Sequence, residues 1–247
     1  MVEAGLSARS LGRPVRFLDR VDSTNRLARE LADQGGPFGT LVLAEFQTQG
    51  RGRMKRSWEA PAGSALLLSL ILRPDLALSS AFRMTMAAAL AMARAVEAET
   101  GLKPLIKWPN DLYLQDRKLA GVLTEIKPQG REIRWAVVGL GLNVSAHPPG
   151  VGAIDLEEVL ASTVDRLGLL DCFLSRLEEL MEAGLMAEEI RQGWKRRSYS
   201  LGRKVEVKDG TETVRGTALD IDPEGALLVR TDQGKRRLVS GDLSLVG

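Results

Sequence analysis

Residues 50–58 read Gly-Arg-Gly-Arg-Met-Lys-Arg-Ser-Trp, with four cationic side chains, Arg51, Arg53, Lys55 and Arg56, set between two glycines and Trp58. Gly50 and Gly52 let the main chain come close to a ligand and offer amides to phosphate oxygens. Arg51 and Arg53 can present forked donors to a phosphate or a carboxylate. The chain carries a net charge of only +2, so this positive charge is local and favours a small anion over a long polyanion. Taken alone, the stretch also fits a solvated glycine-arginine turn. It is not a P-loop, because GxxxxGK[ST] is absent. Trp58 suits either a stacked base or an anchor in the core.

The remaining chemistry is bounded by what is scarce. Cys172 is the single cysteine and His147 the single histidine. One cysteine excludes a disulfide framework or a Cys-based zinc site within the chain. Cys172 falls among Leu and Phe of a helical pattern and reads as a small core residue. His147 sits in "SAHPPG" and reads as an exposed loop residue, so triads and imidazole metal sites find no support. Any enzyme built here works with carboxylates, Lys/Arg and bound metal, as in phosphoryl and nucleotidyl transfer. "GLGLNV" (139–144) lacks the third glycine of a dinucleotide fingerprint.

Four blocks occur in order: "DSTN" (22–25), "AEFQTQGRGRMKRSW" (44–58), "KWPNDLYLQDRKLAGVLTE" (107–125) and "GLGLNV", followed by a β-rich tail ending "SGDLSLV". Together they resemble the biotin protein ligases, from about residue 15 to the end. The resemblance implies an α+β fold: a mixed β-sheet backed by helices, of the class II synthetase and biotin ligase type, with a small C-terminal SH3-like barrel. It also implies a two-step reaction. Biotin and ATP, with Mg²⁺, give biotinyl-5′-AMP, and the biotinyl group then passes to a lysine of a biotin carboxyl carrier protein, that of acetyl-CoA carboxylase or another biotin-dependent carboxylase. Ser23, Thr24 and Gln47 would meet the ureido ring, with Asn25, Gly50, Arg51 and Gly121 also on the biotin side. Arg53, Trp58, Asn110, Asp111 and Asn143 would meet ATP or the adenylate. Lys118 would lie between the biotin carboxylate and the α-phosphate, with Arg51 and Arg53 as its catalytic partners; the metal ligands stay unassigned. A lipoate ligase or octanoyltransferase is the nearer alternative, and an RNA-binding protein using "GRGRMKR" the remote one.

These groups need a scaffold. Hydrophobic residues make up 44% and aromatics 4% of the 247 residues, so the core rests on aliphatic side chains. Strands are expected at 14–21, 39–47, 64–74 and in "LIKWPNDLYL" (105–114), "RKLAGVLTEI" and "IRWAVVGLGLNV". Asp22, Ser23 and Thr24 are N-cap candidates for a short amphipathic helix stopped by Gly35-Gly36-Pro37. Residues 79–100 form a long helix, apolar on most of its circumference and so expected to be buried. Gln115-Asp116-Arg117 suggests a hairpin turn. Two further helices are expected at 155–167 and 169–198, then five short strands. The expected division is residues 1–200, catalytic, and 201–247, SH3-like. The N-terminus lacks an apolar signal core and "MTMAAALAMA" is too short to span a bilayer, so a cytoplasmic protein without membrane contact is expected. No DNA-binding domain is expected ahead of the first strand, and the resemblance allows a homodimer.

Overall fold

The structure, a computed structural model, describes residues 5–150 and 152–246; residues 1–4 and 247, the outer limits of the two expected regions, lie outside them. Seven strands build the main sheet: β1 (Val15–Leu18), β2 (Leu41–Ala44), β3 (Ala65–Leu72), β4 (Leu105–Lys107), β5 (Asp111–Leu114), β6 (Arg117–Gln129) and β7 (Glu132–Asn143). Their order is β1-β2-β3-β7-β6-β5-β4. Only β1 and β2 run parallel; every other pair is antiparallel. The sheet is therefore mixed, as expected.

β3 is buried along its whole length, and its alternation explains why. Leu68, Leu70 and Leu72 join the large core on one face, while Ile71 joins a smaller core on the other. That smaller core lies under helix α1 (Thr24–Asp33), whose Ala28 and Ala32 meet Val42, Ile71, Trp135 and Val137. The opposite face carries α2 (Phe82–Thr100), buried among α4 (Arg166–Glu182), α5 (Ala187–Arg196) and the sheet. Its run of alanines allows this close packing on several sides. A short helix, α3 (Leu156–Leu160), follows β7.

The expected C-terminal strands all form: β8 (Lys204–Asp209), β9 (Glu212–Ile221), β10 (Leu227–Thr231), β11 (Gly234–Leu238) and β12 (Asp242–Leu245), in the order β11-β10-β9-β8-β12. All pair antiparallel, giving the SH3-like unit. Trp108, 1% exposed, ties this unit to the main sheet. Its Nε1–H donates to the Gly225 carbonyl at 3.0 Å and its amide to Ser200 Oγ at 3.2 Å.

Three expected elements differ. "LIKWPNDLYL" is not one strand but β4, a turn at Trp108-Pro109-Asn110, and β5, because Pro109 has no N–H for the ladder. The helix expected at 155–167 is only the five-residue α3; it ends at Ala161, which is left-handed at φ 53°, and α4 starts afresh where Asp165 accepts the Leu167 amide. The helix expected at 169–198 is α4 and α5, interrupted where Gly184 and Leu185 turn left-handed. The hairpin turn at Gln115-Asp116 forms, with both residues at positive φ, the two-residue geometry that matches strand twist.

Candidate active site

The site grows from the N-terminus of α1. Ser23 is extended and caps the helix, accepting the Arg26 amide, so the first residues sit at the sheet with their short polar side chains turned inward. Ser23, Thr24 and Asn25 are all buried. The Thr24 amide and hydroxyl both donate to Gln47 Oε1, at 2.8 and 3.0 Å. Gln47 is brought there by the parallel bridge between Val21 and Gln47. Ser69, on β3, completes the cradle, with its Oγ 2.9 Å from Thr24 Oγ1 and 2.6 Å from Asn25 Oδ1.

The glycine-rich stretch folds over this cradle as a small hairpin. Trp58 donates its amide to Gly50, Gly52 donates to Arg56, and Arg51 pairs with Ser57. A Cβ on Gly50 would lie 2.1 Å from the Trp58 carbonyl, so its small size serves the closure of the hairpin itself. At the tip Met54 and Lys55 are left-handed, which is costly for side chains of this size. Trp58 descends onto β6 and β7: a Cβ on Gly141 would fall 2.3 Å from its indole, and one on Gly121 would fall 3.2 Å away. The glycines of "GLGLNV" therefore make room for side chains rather than for a dinucleotide; on Gly139 a Cβ would fall 1.8 Å from Asn25 Oδ1.

The cations come from three directions. Lys118 lies 2.8 Å from Asp111 Oδ2 and 5.5 Å from the Trp58 ring centroid. Arg53 reaches Asn110 Oδ1 at 3.2 Å, and its burial lowers its pKa from the ordinary arginine value. Lys107 donates to Tyr113 Oη at 3.1 Å; burial lowers its pKa as well, because a desolvated ammonium is disfavoured. Neither Arg53 nor Lys107 makes an ion pair among the described residues. Half-buried cations held on neutral partners suit an incoming anion.

These side chains line a partly open cavity of about 100 Å³, beside a cleft of about 1050 Å³ that shares the loop as a wall. A recess of about 210 Å³ lies beyond Lys118, against Asn143, Pro148 and Ala153. Among the described residues, three buried polar atoms on these walls have no hydrogen-bond partner: Trp58 Nε1, Asp111 Oδ1 and Asn143 Oδ1. Buried polar groups are rarely left so.

Residues 17–143 match the family model described as "Biotin/lipoate A/B protein ligase family", and residues 200–246 match "Biotin protein ligase C terminal domain". The chain belongs to the biotin/lipoate protein ligase family. It is 34% identical to the Bacillus subtilis "Bifunctional ligase/repressor BirA", over 99% of this chain and 78% of that protein. It is 32% identical to the Paracoccus denitrificans "Biotin--[acetyl-CoA-carboxylase] ligase", over 94% of this chain and all of that one. Among solved structures, the Aquifex aeolicus biotin protein ligase in complex with biotin and ATP superposes with a TM-score of 0.80, at 28% identity, covering 95% of this chain and 99% of that one.

In this member of the ligase family the structure gathers Ser23, Thr24, Asn25, Gln47, Arg51, Arg53, Trp58, Asn110, Asp111, Lys118 and Gly121 around one cavity. Gly50 lies just outside it, on the wider cleft, and Asn143 lies in the adjoining recess. His147 differs from the exposed loop residue expected: it is half-buried, with Nδ1 2.9 Å from Asp155 Oδ2. Sequence reasoning passed over Lys107, although it opens the KWPND block, and over Glu125 and Asp242, and it gave Arg56 no partner. Arg56 forms an ion pair with Asp242 of the SH3-like unit, joining the glycine-rich loop to that unit. This pairing holds the Asp242 carboxyl below the usual range.

Proposed function

We propose that the chain is an ATP-dependent biotin protein ligase that makes biotinyl-5′-AMP and passes the biotinyl group to a lysine of a carrier domain. The carrying observation is the convergence in one cavity of an uncharged hydrogen-bonding cradle with a set of cations. A ureido ring presents donors and an acceptor without charge, which Ser23, Thr24, Asn25 and Gln47 can satisfy. These groups already pair with one another and with Ser69 and Glu125. The Gln47 amide nitrogen and the spare lone pairs of the Ser23 and Thr24 hydroxyls can still meet such a ring, whereas a lipoyl or octanoyl chain offers them nothing to bond. This favours biotin over the lipoate side of the family.

In the first step a biotin carboxylate oxygen attacks the α-phosphorus, and the bond to pyrophosphate breaks. Both reactants are anions. Lys118, anchored by Asp111, is assigned to the gap between them, where its charge lowers the barrier; Arg51 and Arg53 support it from the loop. Asn143 Oδ1 is an acceptor without a partner, because its Nδ2 already donates to the Ile154 carbonyl; it matches a donor on the nucleotide, such as the adenine amino group. Trp58 offers its face to the base. Asp111 Oδ1, buried and without a partner among the described residues, is a hard oxygen donor that fits Mg²⁺. Asn110 Oδ1 beside it would have to exchange Arg53 for the ion. When bound, that ion would neutralise phosphate charge. In the second step the carrier lysine attacks the acyl carbon, AMP leaves with the bonding pair, and the amine gives up its proton.

The carrier domain of an acetyl-CoA carboxylase is the proposed acceptor, in line with the name of the Paracoccus relative. We also propose action without DNA binding, on the small net charge, and a catalytic region over residues 1–200 with an SH3-like region over 201–247. Among the described residues no helix is long and apolar enough to cross a membrane, which supports a cytoplasmic placement; a homodimer is the proposed assembly. The test is biotin-dependent ATP–pyrophosphate exchange, followed by label transfer from biotin to a carrier domain, with lipoate in a parallel arm. Exchange driven by lipoate and not by biotin would overturn the reading.

A further inference from the structure

We infer that Glu125 is a positioning residue, whose carboxylate clamps Arg51 of the glycine-rich loop to the biotin cradle. The inference rests on the ligase reading above and adds a coupling between its two halves. Glu125 lies on β6, on the face that carries the site, and its side chain is 20% exposed. Its Oε1 accepts from Arg29 Nη1 at 2.9 Å and from Arg51 Nη1 at 3.1 Å. Its Oε2 accepts from Asn25 Nδ2 at 3.1 Å and lies 3.3 Å from the same Arg51 nitrogen. One carboxylate thus meets α1 through two side chains and the loop through a third.

The contact continues inward. Ser69 has one hydroxyl proton and two acceptors in reach, Asn25 Oδ1 at 2.6 Å and Thr24 Oγ1 at 2.9 Å. Ser69 donates along the shorter contact to Asn25 Oδ1, which fixes the amide with its Nδ2 toward Glu125 and the Leu123 carbonyl. Thr24 then gives its own proton to Gln47. With both hydroxyl protons given elsewhere, the 2.9 Å approach of Ser69 to Thr24 is a contact rather than a hydrogen bond. The hydrogen-bonded chain Ser69–Asn25–Glu125–Arg51 runs from β3, beside Thr24 in the cradle, to the lid above it. Arg51, 44% exposed at its side chain, has Glu125 as its only ion-pair partner among the described residues. Arg53 and Arg56 tie the hairpin of residues 50–58 to Asn110 and to Asp242 of the SH3-like unit, and Arg51 ties it to Glu125 on the α1 side. A carboxylate that fixes Arg51 there holds the lid in place over a bound adenylate.

The readout is adenylate retention. Wild type, Glu125→Gln, Arg51→Gln and the double variant would be loaded with labelled biotin and MgATP, chased with unlabelled biotin, and sampled for retained biotinyl-adenylate. Trypsin cleavage within residues 51–56 and the melting temperature would be followed in parallel. Glu125→Gln is expected to raise the dissociation rate about tenfold, the scale of a partly exposed charge-assisted hydrogen bond. Loop cleavage should rise with it, while the KM for biotin changes more than kcat. The double variant should be no worse than Arg51→Gln, since both remove one contact. Glu125→Asp, which keeps the charge, should recover part of the retention. If Glu125→Gln loses its cooperative melt, Glu125→Asp, which keeps the charge and shortens the reach to Arg51, must still release adenylate faster than wild type at an unchanged melting temperature. Wild-type retention by both single variants, or additive losses in the double, overturns the inference. A wild type that forms no adenylate sinks the ligase reading and the inference with it.

Discussion

Gly141→Ala puts the placement of Trp58 to a direct test. The new methyl would lie 2.3 Å from Trp58 Cε2, 2.6 Å from Nε1 and 2.7 Å from Cζ2. Carbon atoms in comfortable contact stand about 3.5–4.0 Å apart, so the indole must retreat by about 1–1.5 Å. β7 cannot give way easily, because it pairs with β3 and β6 along most of its length. The yielding partner is the hairpin of residues 50–58. Overpacking of this kind costs about 1–3 kcal/mol, and here the cost falls on the lid rather than on the fold. The melting temperature should therefore drop by less than about 3 °C, while kcat/KM for adenylate formation falls about 10–100-fold. The assay is biotin-dependent ATP–pyrophosphate exchange over a range of ATP concentrations. Trp58→Phe in the same background removes the atoms that the methyl strikes, so Gly141→Ala should do much less harm there than in wild type. Wild-type exchange by Gly141→Ala, or a loss that Trp58→Phe leaves undiminished, would refute the geometry.

Lys118→Ala should lower exchange by at least about 100-fold with little change in melting temperature, the scale set by removing one preorganised transition-state contact; near-normal exchange would remove Lys118 from the chemistry. Glu178 accepts the amides of Arg9, Ser10 and Leu11 and the Ser10 hydroxyl, so Glu178→Ala, which leaves those donors unpaired, should cost about 1–3 kcal/mol for each one that water cannot reach. Burial alone would raise the Glu178 pKa, but those hydrogen bonds prevail and lower it. Its folded pKa thus lies below the unfolded value of about 4.3, so its stabilisation is present above that pH and lost as the pH falls through the folded value; melting curves from pH 6 to pH 3 should converge for wild type and Glu178→Ala. Asp242→Asn should weaken the hold of the SH3-like unit on Arg56, raising the KM for ATP about two- to fivefold at low salt, with the difference shrinking as salt is added; titrations at two ionic strengths would check it.

Local chemistry made several parts of this protein legible in the sequence. Ser23 caps α1 as its type and position indicate, and the Gln115-Asp116 turn forms between the strands it was expected to join. The blocks around residues 22–25, 44–58 and 107–125 named most of the cavity walls, because each is one continuous stretch meeting the ligand. What escaped depended on distant partners. Glu125 is placed by Arg51, 74 residues away, and Asp242 by Arg56, 186 residues away; neither position has a local pattern that separates it from a solvated charge. The apolar "LIKWPNDLYL" concealed a hairpin, since β4 and β5 are too short for their alternation to differ from that of one strand. Helical spacing likewise ran through Gly184, where a left-handed turn stops α4. His147 looked solvated because its partner Asp155 lies across a proline-containing loop.

The indole of Trp108 has a consequence for how such a chain can diversify. It is the residue directly before Pro109-Asn110-Asp111, and its ring is fixed on the Gly225 carbonyl of the SH3-like unit. The C-terminal unit therefore does not hang from the rest as an interchangeable cartridge. Its β9–β10 connection is part of the mould in which the Asn110-Asp111 turn is cast. Exchanging the unit between relatives should succeed only when the loop around Gly225 travels with a matching residue 108, and a recombination point at residue 200 would separate two surfaces that have to be inherited as a pair.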